Sequence, residues 1–191
     1  MYGQIIGLDT ETAGFGSAPV IEIGACKIVG EERTYYNAII KYDPLTLPHF
    51  EKSRDIHGIT PEMLLAGCDK KRAFGGLMDF IGGVPTLFVG HNLLMFDKPR
   101  INEGLLPCKF QLQDYNIADT MIVFQNELKY THVPHWRGLK QVKQNGVKTN
   151  LLVAAKHYSI EVDETCLHRA HFDAELSLNI FLKQKNKHRW Q

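Results

Sequence analysis

Three apolar runs crowd the first forty-one residues, at 4–9, 20–29 and 34–41, and only Gly-Glu-Glu-Arg parts the last two. Sequential strands with short links predict an antiparallel start to a sheet. The pattern then changes. Thr60-Pro61 reads as a helix N-cap followed by proline at the first helical position, with helices predicted over 61–66 and 71–81. A short apolar strand at 86–90 follows, and the segment after Asp97 turns helical. Residues 117–120 end another strand and open a helix to residue 128. Residues 129–137 read as irregular, and helical patterns return over 138–144, over 150–157 and from Ala170 almost to the end. Strands early and helix-strand alternation later predict an α/β protein, a mixed sheet flanked by helices. With no repeat, low-complexity stretch or linker, residues 1–191 read as one domain.

The composition narrows the function. With 191 residues, 44% of them hydrophobic, the chain has material for a sizeable core. It holds no run of about 18 apolar residues, the length a membrane helix needs, and its N-terminus lacks the basic-then-apolar pattern of a signal peptide. The expectation is a soluble intracellular protein with no membrane partner. A formal net charge of +1 gives no global field that would single out a nucleic acid. Lys183, Lys185, Lys187 and Arg189 make a basic tail, read first as a solvated helix end and second as a patch for a phosphate backbone. Cys26, Cys68, Cys108 and Cys166 are scattered without a Cys-x-x-Cys pair, so reduced thiols are expected. His132 and His135 are close in sequence but lack obvious further ligands for a zinc ion.

Three segments carry acids where apolar residues are expected. In "GLDTETAGFG", residues 7–16, Asp9 and Glu11 stand two apart behind an apolar run, so they project the same way if the strand continues through Glu11. Two adjacent carboxylates are costly unless solvated, protonated or bound to a cation. An exposed strand end is the plain alternative. In "VGHNLLMFDKPR", Asp97 follows a strand and the polar pair His91-Asn92, and it reads equally well as the N-cap of a helix with Pro99 in its first turn. In "LHRAHFDAELSLNIFL", Asp173 shares a helical stripe with Ala174, Ser177, Leu178, Phe181 and Leu182. His168, five residues earlier, is placed on the loop before that helix and turned back toward the acid; a polar helix start is the alternative.

Taken in order, Asp-x-Glu in the first strand, His-Asn-x-x-x-Phe-Asp near the middle and His-x-Ala-x-x-Asp-Ala before the last helix resemble the DEDDh exonucleases. These form the DnaQ-like group that includes polymerase proofreading subunits and ribonuclease T. The resemblance spans residues 5–182 and implies Asp9, Glu11, Asp97, His168 and Asp173 as the catalytic positions. "DIHGIT", residues 55–60, looks like the family's connecting loop before its first helix. Arg169 stands four positions before Asp173, where the related tyrosine class has its tyrosine, so His168 favours the histidine class. The implied fold is ribonuclease H-like, a mixed five-stranded sheet whose first three strands are antiparallel. Two divalent cations, magnesium or manganese, and removal of nucleoside monophosphates from the 3′ end of single-stranded DNA or RNA are implied as well.

On this reading Asp9 bridges both ions, Glu11 and Asp173 hold the ion carrying the water, Asp97 acts through waters on the other, and His168 takes the proton. The resemblance also implies Phe15 as an apolar wedge between the last two bases, with Thr12, His57 and Asn92 at the terminal nucleotide. Phe15 reads equally as a loop plug into the core and Asn92 as a turn residue. The rival functions are a non-cutting nucleic-acid-binding or polymerase-scaffolding domain and an endonuclease on the same sheet. With 18 residues after Asp173, no polymerase-docking segment is visible and a protein partner is not indicated.

Overall fold

Alternation along β1 (Gln4–Thr12) sets the layout of the molecule, seen here in a computed structural model that describes residues 2–128, 130–135, 138–143 and 148–188. For 130–135, 138–143 and His188 the description is of the backbone. Ile6 and Leu8 enter a core with Ile23, Ala25 and Phe88, covered by Phe74 and Leu77 of α3 (Lys70–Ile81) and Ile101 and Leu105 of α4 (Asp97–Leu105). Ile5 and Gly7 face the other way, toward α7 (Ala170–His188), where Leu178 and Phe181 pack with Cys26, Val89 and Ala118. A Cβ on Gly7 would stand 2.3 Å from the carbonyl oxygen of Ala174, so only glycine lets α7 lie this close to the sheet.

The sheet has five strands in the order β3-β2-β1-β4-β5. Strands β2 (Val20–Val29) and β3 (Glu32–Ile39) continue from β1 as antiparallel neighbours, while β4 (Thr86–Gly90) and β5 (Ile117–Asp119) join as parallel strands. The mixed sheet with three antiparallel strands first is the expected one. Helices α1 (Phe50–His57), α2 (Pro61–Ala66) and α3 lie between β3 and β4 in the chain. Helices α5 (Thr120–Leu128) and α6 (Leu151–His157) pack with α7 around Phe124, Ala154, Ala155, Leu176 and Ile180. Helix starts use the caps that the sequence offers: Thr60, Asp69 and Asn150 accept from the backbone N–H of Met63, Arg72 and Val153 at 3.3, 2.8 and 3.0 Å.

Three expectations are corrected. Residues 50–57, to which no helix was assigned, form α1, so the first three residues of "DIHGIT" are helical and Gly58, at φ 66°, ends the turn. The segment 138–144, expected to be helical, contains β7 (Gly138–Lys143), and 129–137, expected to be irregular, contains β6 (Tyr130–His135). The two strands pair antiparallel as a separate ribbon, so backbone pairing with a neighbour a few residues upstream outweighs a short apolar spacing that fits either element. The side chains of His132 and His135 lie outside the described residues, as does Arg189. Lys183, Lys185 and Lys187 are exposed on the last turns of α7. No helix among the described residues is long and apolar enough to cross a membrane.

Candidate active site

Asp9 and Glu11 occupy the α7-facing side of β1, one pleat beyond Gly7, and both are half-buried. Across the ladder they stand opposite Gly24 and Glu22 of β2. Asp173 comes from the first turn of α7, only 6% exposed, and points back toward the strand end. His168 sits on the loop before α7 with φ 63°, its backbone N–H 3.4 Å from Asp173 Oδ1 and its Nδ1 3.9 Å from Asp173 Oδ2. Ligand atoms of Glu11, His168 and Asp173 all lie within 4.8 Å of one another.

Asp97 arrives from the opposite side of the sheet. The N-cap of α4 is Phe96, so Asp97 is the first helical residue and not the cap that one reading of the sequence allowed. Its carboxylate turns to β1, where Oδ1 accepts from the Thr10 hydroxyl at 2.6 Å and the Thr10 backbone N–H at 3.0 Å.

These carboxyls press on one another. Burial, and after it the charges of Asp97, Glu11, Asp173 and Glu22, hold Asp9 well above the usual carboxylate range. Glu11 is pushed up to about 9 by burial and then by Asp173, Glu22 and Asp97, with Arg169 opposing. Burial lifts Asp97 to about 7 against the two Thr10 hydrogen bonds, and Asp173 to about 6 against the attraction of His168. Such a cluster must be neutralised by protons or by cations. Hard, adjacent oxygen donors with an imidazole at the rim fit divalent magnesium or manganese.

Four residues matter here to which sequence reasoning gave no part in the site. Glu22 is 0% exposed and receives N–H groups from Arg169, Ala170 and Asn37. Asp119, 5% exposed at the end of β5, accepts the backbone N–H of Asn92, Leu94 and Met121, each at 3.0 Å, and so shapes the loop that delivers Asp97. Arg100 donates to the backbone carbonyls of Phe96 and Gly16, tying the start of α4 to the loop after β1. Acids inside apolar strands were the available signal for Glu22 and Asp119; Arg169 and Arg100 gave none.

Of the residues assigned to the terminal nucleotide, Phe15 is 82% exposed on the loop after β1, which excludes the core-plug alternative. Thr12 donates its hydroxyl to the carbonyl of Gly14 at 2.7 Å. Asn92 is a turn residue with φ 70°. His57, 3% exposed and lowered to about 4 by burial, accepts from Ile59 N at Nδ1 and leaves Nε2 without a hydrogen-bond partner.

A sheet of this order, with carboxylates on its first strand and a helix crossing it to bring a further acid, is a ribonuclease H-like architecture. The exonuclease family model known as RNase T matches residues 6–181, and the chain belongs to that family. It is 26% identical over 187 residues to the DNA polymerase III subunit epsilon of Haemophilus influenzae, covering 94% of this chain and 66% of the relative. Structures of Escherichia coli exonuclease I share the fold. One solved with a dT13 oligonucleotide superposes with a TM-score of 0.71 at 15% identity, over 99% of this chain and 41% of that one. A zinc-bound form of the same enzyme with single-stranded DNA gives 0.72 at 16% identity, over 99% and 42%. The chain thus spans just under two thirds of the curated relative and about four tenths of exonuclease I.

Proposed function

We propose that this chain is a metal-dependent 3′-to-5′ exonuclease of the DEDDh class, hydrolysing phosphodiester bonds at the ends of single-stranded DNA or RNA and releasing nucleoside monophosphates. The observation that carries the reading is the convergence of Glu11 from β1, Asp173 from α7 and His168 from the intervening loop within 4.8 Å. Asp9 adjoins them closely enough for the charges of Asp97, Glu11 and Asp173 to raise its proton affinity. Two divalent cations held by Asp9, Glu11, Asp97 and Asp173 would supply an acidified water and charge relief at the leaving 3′-oxygen.

The chain's own groups do the rest. Asp9 feels the charge of each of the other three carboxylates and would hold the cations together with Glu11, Asp173 and Asp97. His168, with its side chain 53% exposed, accepts the proton of the attacking water, and Asp173 beside it orients the imidazole. Phe15 stacks as a wedge between the last two bases, and Thr12, Asn92 and His57, the last buried with its Nε2 lacking a hydrogen-bond partner, receive the terminal nucleotide. The oligonucleotide held by exonuclease I supports a single-stranded substrate, and the likeness to a polymerase subunit makes a polymerase a candidate partner.

A time course with 3′-labelled and 5′-labelled linear strands and with single-stranded circles, of DNA and of RNA, in magnesium, manganese or chelator tests the reading. Immediate loss of 3′ label, intact circles and silence in chelator are expected. Opened circles indicate an endonuclease, and untouched linear strands indicate a binding or scaffolding domain.

A further inference from the structure

Glu22 is an acid of this region that the proposed chemistry leaves unused. It stands opposite Glu11 in the β1–β2 ladder, yet it is fully buried, and unlike Asp9, Glu11, Asp97 and Asp173 it is held in a salt bridge by a guanidinium among the described residues. Arg169 approaches it side-on, with Nε 3.2 Å from each carboxylate oxygen and Nη2 2.6 Å from Oε1. The backbone N–H of Ala170 donates to Oε2 at 3.0 Å, and Asn37 Nδ2 donates to Oε1 at 3.0 Å. With its lone pairs taken by these donors and no exposed surface, Glu22 is not available to a cation. It closes the N-terminus of α7 from a neighbouring strand, where a negative charge is favoured by the helix dipole.

Arg169 directly follows His168, whose φ of 63° is a conformation that residues other than glycine seldom hold without support. Support comes from both directions. On one side the His168 N–H reaches Asp173 Oδ1 at 3.4 Å; on the other, the next side chain and the next backbone N–H but one are both fixed to Glu22. Arg169 and Glu22 are 147 residues apart in sequence, so the contact ties the loop to the strand adjoining Asp9 and Glu11. A planar guanidinium held through two nitrogens fixes a direction as well as a distance, which a lysine would not. Buried ion pairs add little net stability compared with apolar packing, so orientation is the more economical account of why a charged pair stands here.

We propose that Glu22 and Arg169 are positioning residues that hold the His168 loop, and with it the imidazole, in register with the Asp9–Glu11 strand. The inference rests on the exonuclease reading for its kinetic consequence but not for its structural one. Two arms test it, using Arg169→Ala, Arg169→Lys and Glu22→Gln in the full chain. In the kinetic arm, with a 3′-labelled single-stranded oligonucleotide and manganese, Arg169→Ala is expected to lose about tenfold to a hundredfold in kcat, because a small misplacement of a catalytic group is that costly. KM should stay within about twofold, since the Arg169 guanidinium is engaged by Glu22, and part of the loss should return in Arg169→Lys or on adding millimolar guanidinium to Arg169→Ala. In the second arm, metal-free amide hydrogen exchange should quicken at residues 168–170 in Arg169→Ala while the amides of β1 and β2 keep their protection.

An unchanged kcat in an active protein overturns the proposal. So does a loss spread equally over kcat, KM and the protection of β1 and β2, because that is the signature of general destabilisation. Wild-type protein that cuts no labelled strand overturns the exonuclease reading instead; local quickening at 168–170 then still supports the pair as a loop anchor, and unaltered exchange there removes it.

Discussion

Gly24 of β2 lies directly beneath Ala170, the first residue of α7, so closely that a Cβ on Gly24 would stand 2.0 Å from the Ala170 carbonyl carbon and 2.1 Å from the His171 nitrogen. The obstacle is backbone, which cannot swing aside as a side chain can. Gly24 also pairs with Asp9 in the ladder, so the close approach is made at the level of the acids. Gly24→Ala is therefore expected to lift the start of α7 and to carry His168 and Asp173 away from Glu11. Overpacking of this kind costs about 1–3 kcal/mol and sometimes more. Urea unfolding should show the loss, and activity should fall further than stability alone explains, with wild-type stability counting against the account.

The raised carboxyl groups make a statement about stability. In the unfolded chain, Asp97, Asp173 and Glu11 release their protons in the usual carboxylate range; in the metal-free fold they retain them to about 7, about 6 and about 9 respectively. The folded state thus binds more protons than the unfolded state between those limits, and linkage requires stability to fall as pH rises through the window. Metal-free protein is expected to melt at a lower temperature at pH 8.5 than at pH 6. Magnesium or manganese should reverse the trend by binding the ionised cluster, contributing about 2.7 kcal/mol at a hundredfold excess over Kd. Melting curves across pH with cation and with chelator check both signs. A metal-free melting temperature that climbs from pH 6 to 8.5 would refute the account.

His168 is separable from the carboxylates because it lies at the rim, with its side chain 53% exposed against 9% for that of Asp173. His168→Ala is expected to reduce kcat by roughly 10² or more, the usual range for a lost general base. Calorimetric titration with manganese should remain close to wild type in that variant. Asp173→Asn should lose both, since on the proposed reading it removes a cation ligand as well as the partner of the imidazole. A His168→Ala enzyme with wild-type turnover would take His168 out of the proton-transfer role.

How legible all this was in the sequence follows from the range of the interactions. The three antiparallel strands and the shared direction of Asp9 and Glu11 follow from local alternation, and local alternation can be read directly. Helix α1 was missed because Phe50, Ser53 and His57 are its only buried positions, too few to write an apolar stripe. Strand β7 was misread because Leu139 and Val142, three apart, fit a helical spacing, and only its pairing with β6 settles the choice. Glu22 and Asp119 were passed over for a different reason. Their partners lie 147 and 25 residues away, at Arg169 and Leu94, and an acid in an apolar strand announces a need without naming what meets it.

Phe15 gives the substrate side of the proposal its sharpest test. It is 82% exposed at the tip of the loop after β1, where a large apolar ring in water contributes nothing to the fold. Arg100 holds the carbonyl of the next residue, Gly16, and stacks over Phe96, so the loop is tied to the helix that begins with Asp97. A ring displayed on a tethered loop beside the acids is suited to stack on an unpaired base, an interaction worth about 1–3 kcal/mol. Phe15→Ala should therefore weaken binding of a single-stranded oligonucleotide by roughly fivefold to a hundredfold while leaving the melting temperature and manganese affinity unchanged. Fluorescence anisotropy, with His168→Ala as the common background and chelator present so that strands are not cut during the measurement, reads the affinity. Equal affinity with and without the ring would leave Phe15 without a part in substrate binding and would move the search for the wedge to Met95, exposed on the neighbouring loop.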